Sequence, residues 1–329
     1  MIRLTGINKT FKVAKRNPGL SQAVKALFSR ETQTVYALSD VSFTVGNGEM
    51  VGYIGPNGAG KSTTIKIMCG VLTPDSGLCE INGRVPWKER VDHAREIGVV
   101  FGQRSQLWWD VPVIDSLELI KSIYKVPLEN YKRNLSELTD LLDLSELLKT
   151  PARSLSLGQR MRCEIAASLL HDPKILFLDE PTIGLDAISK IAARQFIKRL
   201  NAEKKTTVIL TTHDMQDIEA LTERIILIGK GHILLDSNMR ELKARISGFK
   251  TLTIEYSGPA PMPHPEWLVL DSREGRLSLR FDARKFPVAD AISYLSGSSC
   301  SANTNIQDIS VSGITAEEMA AGLYKEFNI

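Results

Sequence analysis

The stretch Gly55-Pro56-Asn57-Gly58-Ala59-Gly60-Lys61-Ser62-Thr63 constrains this 329-residue chain more than any other. Its spacing, a Gly, four residues and then Gly-Lys-Ser, is that of a phosphate-binding loop. The apolar run Met50–Ile54 leads into it and predicts a buried strand, and residues 62–69 lead out as a predicted helix. Strand, loop and helix in that order are the context the motif needs. Gly55, Gly58 and Gly60 let the backbone turn tightly and aim its N–H groups inward. The helix N-terminus adds partial positive charge, so a triphosphate fits there. Lys61 is then placed to reach the outer phosphates, and the Ser62 hydroxyl to hold Mg²⁺.

The length allows one large and one small domain, or two of middling size. Hydrophobic residues make up 43% of the chain, which predicts a soluble globular protein with ample core. Lys and Arg total 41 against 38 acidic residues, and that balance argues against a nucleic-acid partner. Cys69, Cys79, Cys163 and Cys300 are scattered without metal-ligand spacing, which predicts a reduced, cytoplasmic protein with no disulfide framework. No leader sequence and no membrane-length apolar run is expected.

Taken in order, residues 2–7 predict a first strand. Residues 13–34 form a basic insertion with a Pro18-Gly19 break. Within it, Val24, Leu27 and Phe28 predict a short amphipathic helix over 21–29, either folded onto its own domain or facing a partner. Strands are predicted at 35–45 and 97–101, and a helical subdomain over about 103–170, with helices at 114–124, 131–148 and 155–170. Strands at 174–178, 207–210, 225–228 and 233–235 alternate with helices at 188–200 and 215–221. The pattern is α/β, with a largely parallel sheet covered on both faces. A closing helix over 238–246 ends a first domain, 1–246, and the boundary falls near Ser247. Residues 247–329 then predict a small C-terminal α+β domain, with strands at 251–256, 267–271, 277–281 and 306–311 and helices at 287–295 and 316–327.

Two further segments carry chemistry. The buried strand Ile175-Leu176-Phe177-Leu178 delivers Asp179 and Glu180 to the sheet edge beside the loop, Asp179 toward Mg²⁺ and Glu180 as a general base for water. Leu155-Ser156-Leu157-Gly158-Gln159 opens a helix. Ser156 at that N-terminus reads either as a ligand for phosphate oxygens or as a plain N-cap.

As an ordered set, these motifs resemble the ATP-binding subunit of an ABC transporter. The set is Phe11, the 55–63 loop, Gln103, the 155–159 signature, Asp179-Glu180, Gly184-Leu185-Asp186 and His213, and it spans residues 1–246. The resemblance implies a P-loop ATPase core with an antiparallel β subdomain and a helical subdomain. It implies ATP and Mg²⁺ as ligands, with the phosphates held by residues of the 55–63 loop. Phe11 would stack on adenine, with Tyr36 as the second candidate. Gln103 would contact Mg²⁺ or the lytic water, and His213 would hold the γ-phosphate and position water with Glu180. Asp186 would organise the contact between two copies. Ser156, Gly158 and Gln159 would bind ATP held by the other copy of a homodimer. Leu157 stands where the family usually has Gly, which bears on the rate of hydrolysis.

The stretches 99–112 and 157–164 are similar to bacterial exporter ATPases of the drug, viologen and polysaccharide export class. That implies separate transmembrane permease chains and a peripheral place on the cytoplasmic face of the membrane. A soluble ABC ATPase without a transport role and the ATPase of an importer are the alternatives. Trp108 and Trp109 are either the groove for a permease helix or core aromatics of the helical subdomain.

Overall fold

The computed structural model describes residues 1–14, 32–102, 104–212, 214–246, 248–297, 304–313 and 316–327. The helix expected at 21–29, Gln103 and His213 lie outside the described residues. The chain divides into two compact units, Met1–Ser237 and Asn238–Glu326.

The first unit is built on a six-stranded sheet. Its strands are β3 (Met50–Ile54), β5 (Ile97–Phe101), β6 (Ile175–Asp179), β7 (Thr207–Thr211), β8 (Arg224–Gly229) and β9 (His232–Asn238), in the order β5-β6-β7-β3-β8-β9. The pairs β5/β6, β6/β7, β7/β3 and β3/β8 are parallel. Parallel strands need crossovers, and they bury both faces. Accordingly β7 is buried at every position and β6 at all but its last. A three-stranded antiparallel sheet, β2-β1-β4, combines β1 (Ile2–Ala14), β2 (Thr32–Val45) and β4 (Ser76–Ile81). Ile2, Leu4, Ile7, Leu38 and Val41 share one core cluster with Tyr53 and Phe177, so the two sheets enclose a common interior.

The helices follow from apolar spacing. In α1 (Lys61–Met68) the buried residues Thr64, Ile65, Ile67 and Met68 fall on one face. After α2 (Arg90–Glu96) come the helices α3 (Val113–Tyr124) and α4 (Leu128–Leu142) and then α5 (Leu157–Leu169). α4 buries Tyr131, Asn134, Leu138 and Leu142, which recur at helical spacing. It ends six residues earlier than its apolar pattern predicts. Asp143 adopts a left-handed conformation (φ 52°) that closes the helix, and Leu144 and Leu147 are buried beyond that turn. Two helices complete this unit, α6 (Ala187–Lys204) and α7 (Met215–Leu221).

The second unit holds α8 (Met239–Ile246) and a four-stranded antiparallel sheet, β11-β12-β10-β13. Its strands are β10 (Phe249–Ser257), β11 (Leu268–Arg273), β12 (Arg276–Asp282) and β13 (Asn305–Gly313), with helices α9 (Val288–Ser296) and α10 (Ala316–Glu326). Alternation puts Leu252, Ile254 and Tyr256 in one core with Leu277, Leu279 and Phe281, joined by Trp267, Ala291 and Leu295. The helix predicted to close the first domain thus belongs to this second unit.

Phe177 is fully buried at the centre of the first unit's core. Phe177→Ala is expected to cost about 3–5 kcal/mol, because the cavity left behind adds to the lost transfer energy. Urea denaturation followed by far-ultraviolet circular dichroism checks it.

Candidate active site

The site forms where parallel strands end side by side. Register places Tyr53 of β3 opposite Thr211 of β7, and Thr211 opposite Asp179 of β6. The segments that follow these strands therefore emerge at one edge, the carboxyl edge where ligands of open α/β sheets bind. A cavity of about 760 Å³ lies there. Asn57, Gly58, Gly60, Lys61, Ser62 and Thr63 line it, and so do Asp179 and Glu180. Of the expected phosphate-loop residues, Gly55, Pro56 and Ala59 do not line it.

Gly55 and Gly60 have different reasons to be glycine. Gly60, at the N-terminus of α1, takes φ 113°, a conformation L side chains rarely adopt. At Gly55 the obstacle is space, since an added Cβ would lie 2.1 Å from the Ile228 carbonyl oxygen. Lys61 is buried, 6% exposed, and its Nζ donates to the carbonyls of Gly55 (2.7 Å) and Pro56 (3.1 Å). Burial lowers its pKa, while Glu180 and Asp179 pull the other way.

Asp179 Oδ1 accepts from Thr211 Oγ1 (2.5 Å) and from Ser62 Oγ (3.4 Å). A hydroxyl beside a carboxylate is an all-oxygen donor pair, which fits a hard cation that keeps waters and phosphate oxygens as its other ligands. Glu180 follows with φ 54°, a left-handed conformation that costs a non-glycine residue about 1–2 kcal/mol. Flanking backbone bonds hold it there: its N–H donates to Thr211 O (2.9 Å), and its carbonyl accepts from Ile183 N–H (3.3 Å). Strain of this kind persists where the surroundings fix it, and it clusters at working sites.

Of the two aromatic candidates, Tyr36 lines the cavity and Phe11 does not. Phe11 pairs across the β1–β2 ribbon with Val35, and Tyr36 with Thr10, so the two rings sit on opposite faces of that ribbon. Among the cavity residues that sequence reasoning passed over are Lys66, Arg104 and Ile183. Lys66 stands one helical turn beyond Ser62, a spacing that could have revealed it. Nothing local in the sequence marks Arg104 or Ile183.

The signature residues stand apart from this cavity; Ser156, Gly158 and Gln159 are not among its lining residues. Ser156 caps α5 in a reciprocal box. Its Oγ accepts from Gln159 N–H (3.2 Å), and Gln159 Oε1 accepts from Ser156 N–H (2.9 Å). The cap uses the hydroxyl oxygen as acceptor and leaves its proton to donate. Gly158 is buried, and a Cβ there would stand 2.5 Å from Ser189 Oγ. Leu157 reaches Gly184, where an added Cβ would be 2.6 Å from Leu157 Cδ2. Asp186 N-caps α6, accepting from Ser189 N–H at 2.9 Å.

Trp108 and Trp109 are 60% and 51% exposed and do not belong to the core. Their loop is fastened to the signature helix. Glu164 of α5, buried, accepts from Ser105 Oγ and from Gln106 N–H (2.9 Å), and the Arg160 guanidinium lies 5.4 Å from the Trp109 ring centre. Burial raises the Glu164 carboxyl pKa despite those donors.

Gly55→Ala is expected to weaken nucleotide binding by about tenfold or more, because the new methyl must displace backbone that fixes the loop. Titration calorimetry with a non-hydrolysable nucleotide checks it.

The comparisons with known proteins agree with this geometry. The sequence profile of the ABC transporter family matches residues 38–183. The chain is 31% identical over 215 residues to the ABC transporter ATP-binding protein NatA of Bacillus subtilis, covering 65% of this chain and 87% of that protein. It is 32% identical to the linearmycin resistance ATP-binding protein LnrL of the same organism, over 72% of this chain and 75% of that one. It is 34% identical to the methionine import ATP-binding protein MetN 2 of Enterococcus faecalis, over 67% of this chain and 64% of that one. Among solved structures, a dimeric ATP-binding cassette in a post-hydrolysis state with ADP and Pi superposes with a TM-score of 0.61 at 26% identity, covering 73% of this chain and 99% of that one. The strand–loop–helix at Lys61, the carboxylates at the end of β6 and these likenesses converge: the chain belongs to the ABC transporter family, as an ATP-binding ATPase subunit.

Proposed function

We propose that this chain powers an exporter as a homodimer, with each ATP held between the Lys61 loop of one copy and the Ser156 helix of the other. One observation carries the reading. The cavity is lined by the phosphate loop and by Asp179 and Glu180, while the capped N-terminus of α5 stands apart from it. A second copy supplies that N-terminus, with a donor hydroxyl and the positive end of a helix dipole. An apolar rim supports the association: Ile183, Ile188 and Ile191 are exposed by 36%, 81% and 52%.

In this reading the loop N–H groups and Lys61 neutralise the β- and γ-phosphates, and either Phe11 or Tyr36 stacks on adenine. Ser62 and Asp179 hold Mg²⁺, which when bound neutralises charge on the phosphate oxygens. Glu180 takes a proton from water as its oxygen bonds to the γ-phosphorus. The bond from that phosphorus to the bridging oxygen breaks, and ADP and phosphate leave. By the resemblance, Gln103 would contact Mg²⁺ or the lytic water, and His213 would hold the γ-phosphate and position water with Glu180.

The membrane partner is inferred from two features. Among the described residues no helix is long and apolar enough to cross a membrane. The Trp108–Trp109 loop offers exposed apolar surface fastened to the signature helix, suited to a cytoplasmic helix of a separate permease chain. The chain then sits at the cytoplasmic face of the membrane through that permease, with the second unit, Asn238–Glu326, as an accessory domain. The drug-resistance relative supports export. The methionine-import relative favours the second reading, an importer ATPase, and the co-purifying permease decides between them.

Glu180→Gln is expected to bind ATP, lose turnover by at least about a hundredfold and accumulate as an ATP-bound dimer. Phosphate release and size-exclusion chromatography with ATP check both halves. Wild-type turnover would remove Glu180 as the base.

A further inference from the structure

The connection between Glu180 and the helix at Asp186 is anchored from outside the nucleotide cavity. Thr182 lies two residues beyond Glu180 and is buried. Its carbonyl accepts from Leu185 N–H (3.2 Å), so the turn that leads to Asp186 is built on it. Its hydroxyl donates to Oδ2 of Asp217, a fully buried carboxylate on α7. The other carboxylate oxygen, Oδ1, is held by Arg194 of α6, whose Nε and Nη2 both lie at 2.5 Å. A second pair lies alongside: Lys190 of α6 reaches Asp214 at 2.6 Å, and Arg194 stands 3.8 Å from the same carboxylate. Burial opposes the Asp214 charge, yet Lys190 and Arg194 hold its pKa below the usual carboxylate range.

We propose that Asp217 is a positioning residue for hydrolysis: through Thr182 and Arg194 it fixes the Glu180–Asp186 connection against α6 and α7, and so fixes the direction in which Glu180 points. The proposal rests on Glu180 as the base. The physical argument has two parts. A buried carboxylate is stable only when its hydrogen-bonding capacity is filled, so Asp217 holds both partners or loses stability. Glu180 occupies a left-handed conformation that relaxes unless both flanks are fixed. Thr211 O fixes the N-terminal flank, and the Thr182 anchor fixes the C-terminal one. A base misplaced by a fraction of an ångström loses much of its rate while nucleotide binding at the loop is untouched. None of the three residues lines the cavity, so any effect of theirs on turnover is transmitted.

The test uses the full chain with Mg²⁺ and ATP. Thr182→Val removes only the hydrogen bond and keeps the ion pair, so the fold has its mildest perturbation. It is expected to lower kcat about tenfold with KM for ATP changed less than about twofold. Thr182→Ser restores the hydroxyl and is expected to restore kcat. Asp217→Asn also weakens the Arg194 pair and is expected to lower kcat at least as much, and combining it with Thr182→Val costs less than the sum of the two losses, because they share the Thr182–Asp217 link. Wild-type kcat in Thr182→Val, or a loss that Thr182→Ser leaves unrepaired, overturns the proposal. Retained turnover in Glu180→Gln overturns the base assignment and this inference with it. Lost turnover in Glu180→Gln beside wild-type kcat in Thr182→Val overturns this inference alone.

Discussion

Asp179 is the point at which the structure's separate parts meet. Its backbone ends β6, and its carboxylate accepts from Thr211 at the end of β7 and from Ser62 in the first turn of α1. Those contacts exist because β6, β7 and β3 run parallel and in register, so their last residues lie level at one edge. Remove the parallel register and Lys61, Asp179 and Glu180 are merely residues far apart in one chain. The buried, β-branched and aliphatic interior of those strands is thus what holds the catalytic edge together.

Around that edge the protein uses three kinds of fixing. At the phosphate loop it is steric: the Ile228 carbonyl leaves room for nothing larger than Gly at position 55. At Glu180 it is backbone hydrogen bonding that holds a left-handed conformation. Beyond Glu180 it is electrostatic, with a buried Asp217 gripping Thr182 and Arg194. Each is expensive locally, and each restricts motion at the edge where, with Glu180 proposed as the base, proton transfer would need fixed geometry. The Trp108–Trp109 loop is fastened by the same logic, through the buried Glu164 of the signature helix. That loop and Ser156 are thus tied to one and the same helix.

Much of this was legible in the residues. The spacing of Gly55, Gly58, Gly60, Lys61 and Ser62 requires a strand before and a helix after, and both are present. The strands ending at Phe101 and Asp179 are announced by continuous apolar runs, as buried parallel strands are. The end of α4 was not legible: Leu144 and Leu147 continue its apolar pattern, and only the left-handed turn at Asp143 shows that the chain has changed direction. That Tyr36 and not Phe11 lines the cavity was not legible either, because which face of the β1–β2 ribbon a ring occupies depends on a register with bulges along it.

By itself the sequence determined the chemistry: a loop for phosphate, a carboxylate pair at a strand end, a serine-capped helix, and their order. These are local patterns, set by glycine conformations, capping and apolar periodicity, which act over a few residues. The tertiary structure alone decided which of these parts share a cavity, that Ser156 is held apart from Lys61, and that Asp217 holds Thr182. Those outcomes depend on contacts between residues distant in sequence. Such contacts come from strand register and helix packing, and no stretch of the chain records them.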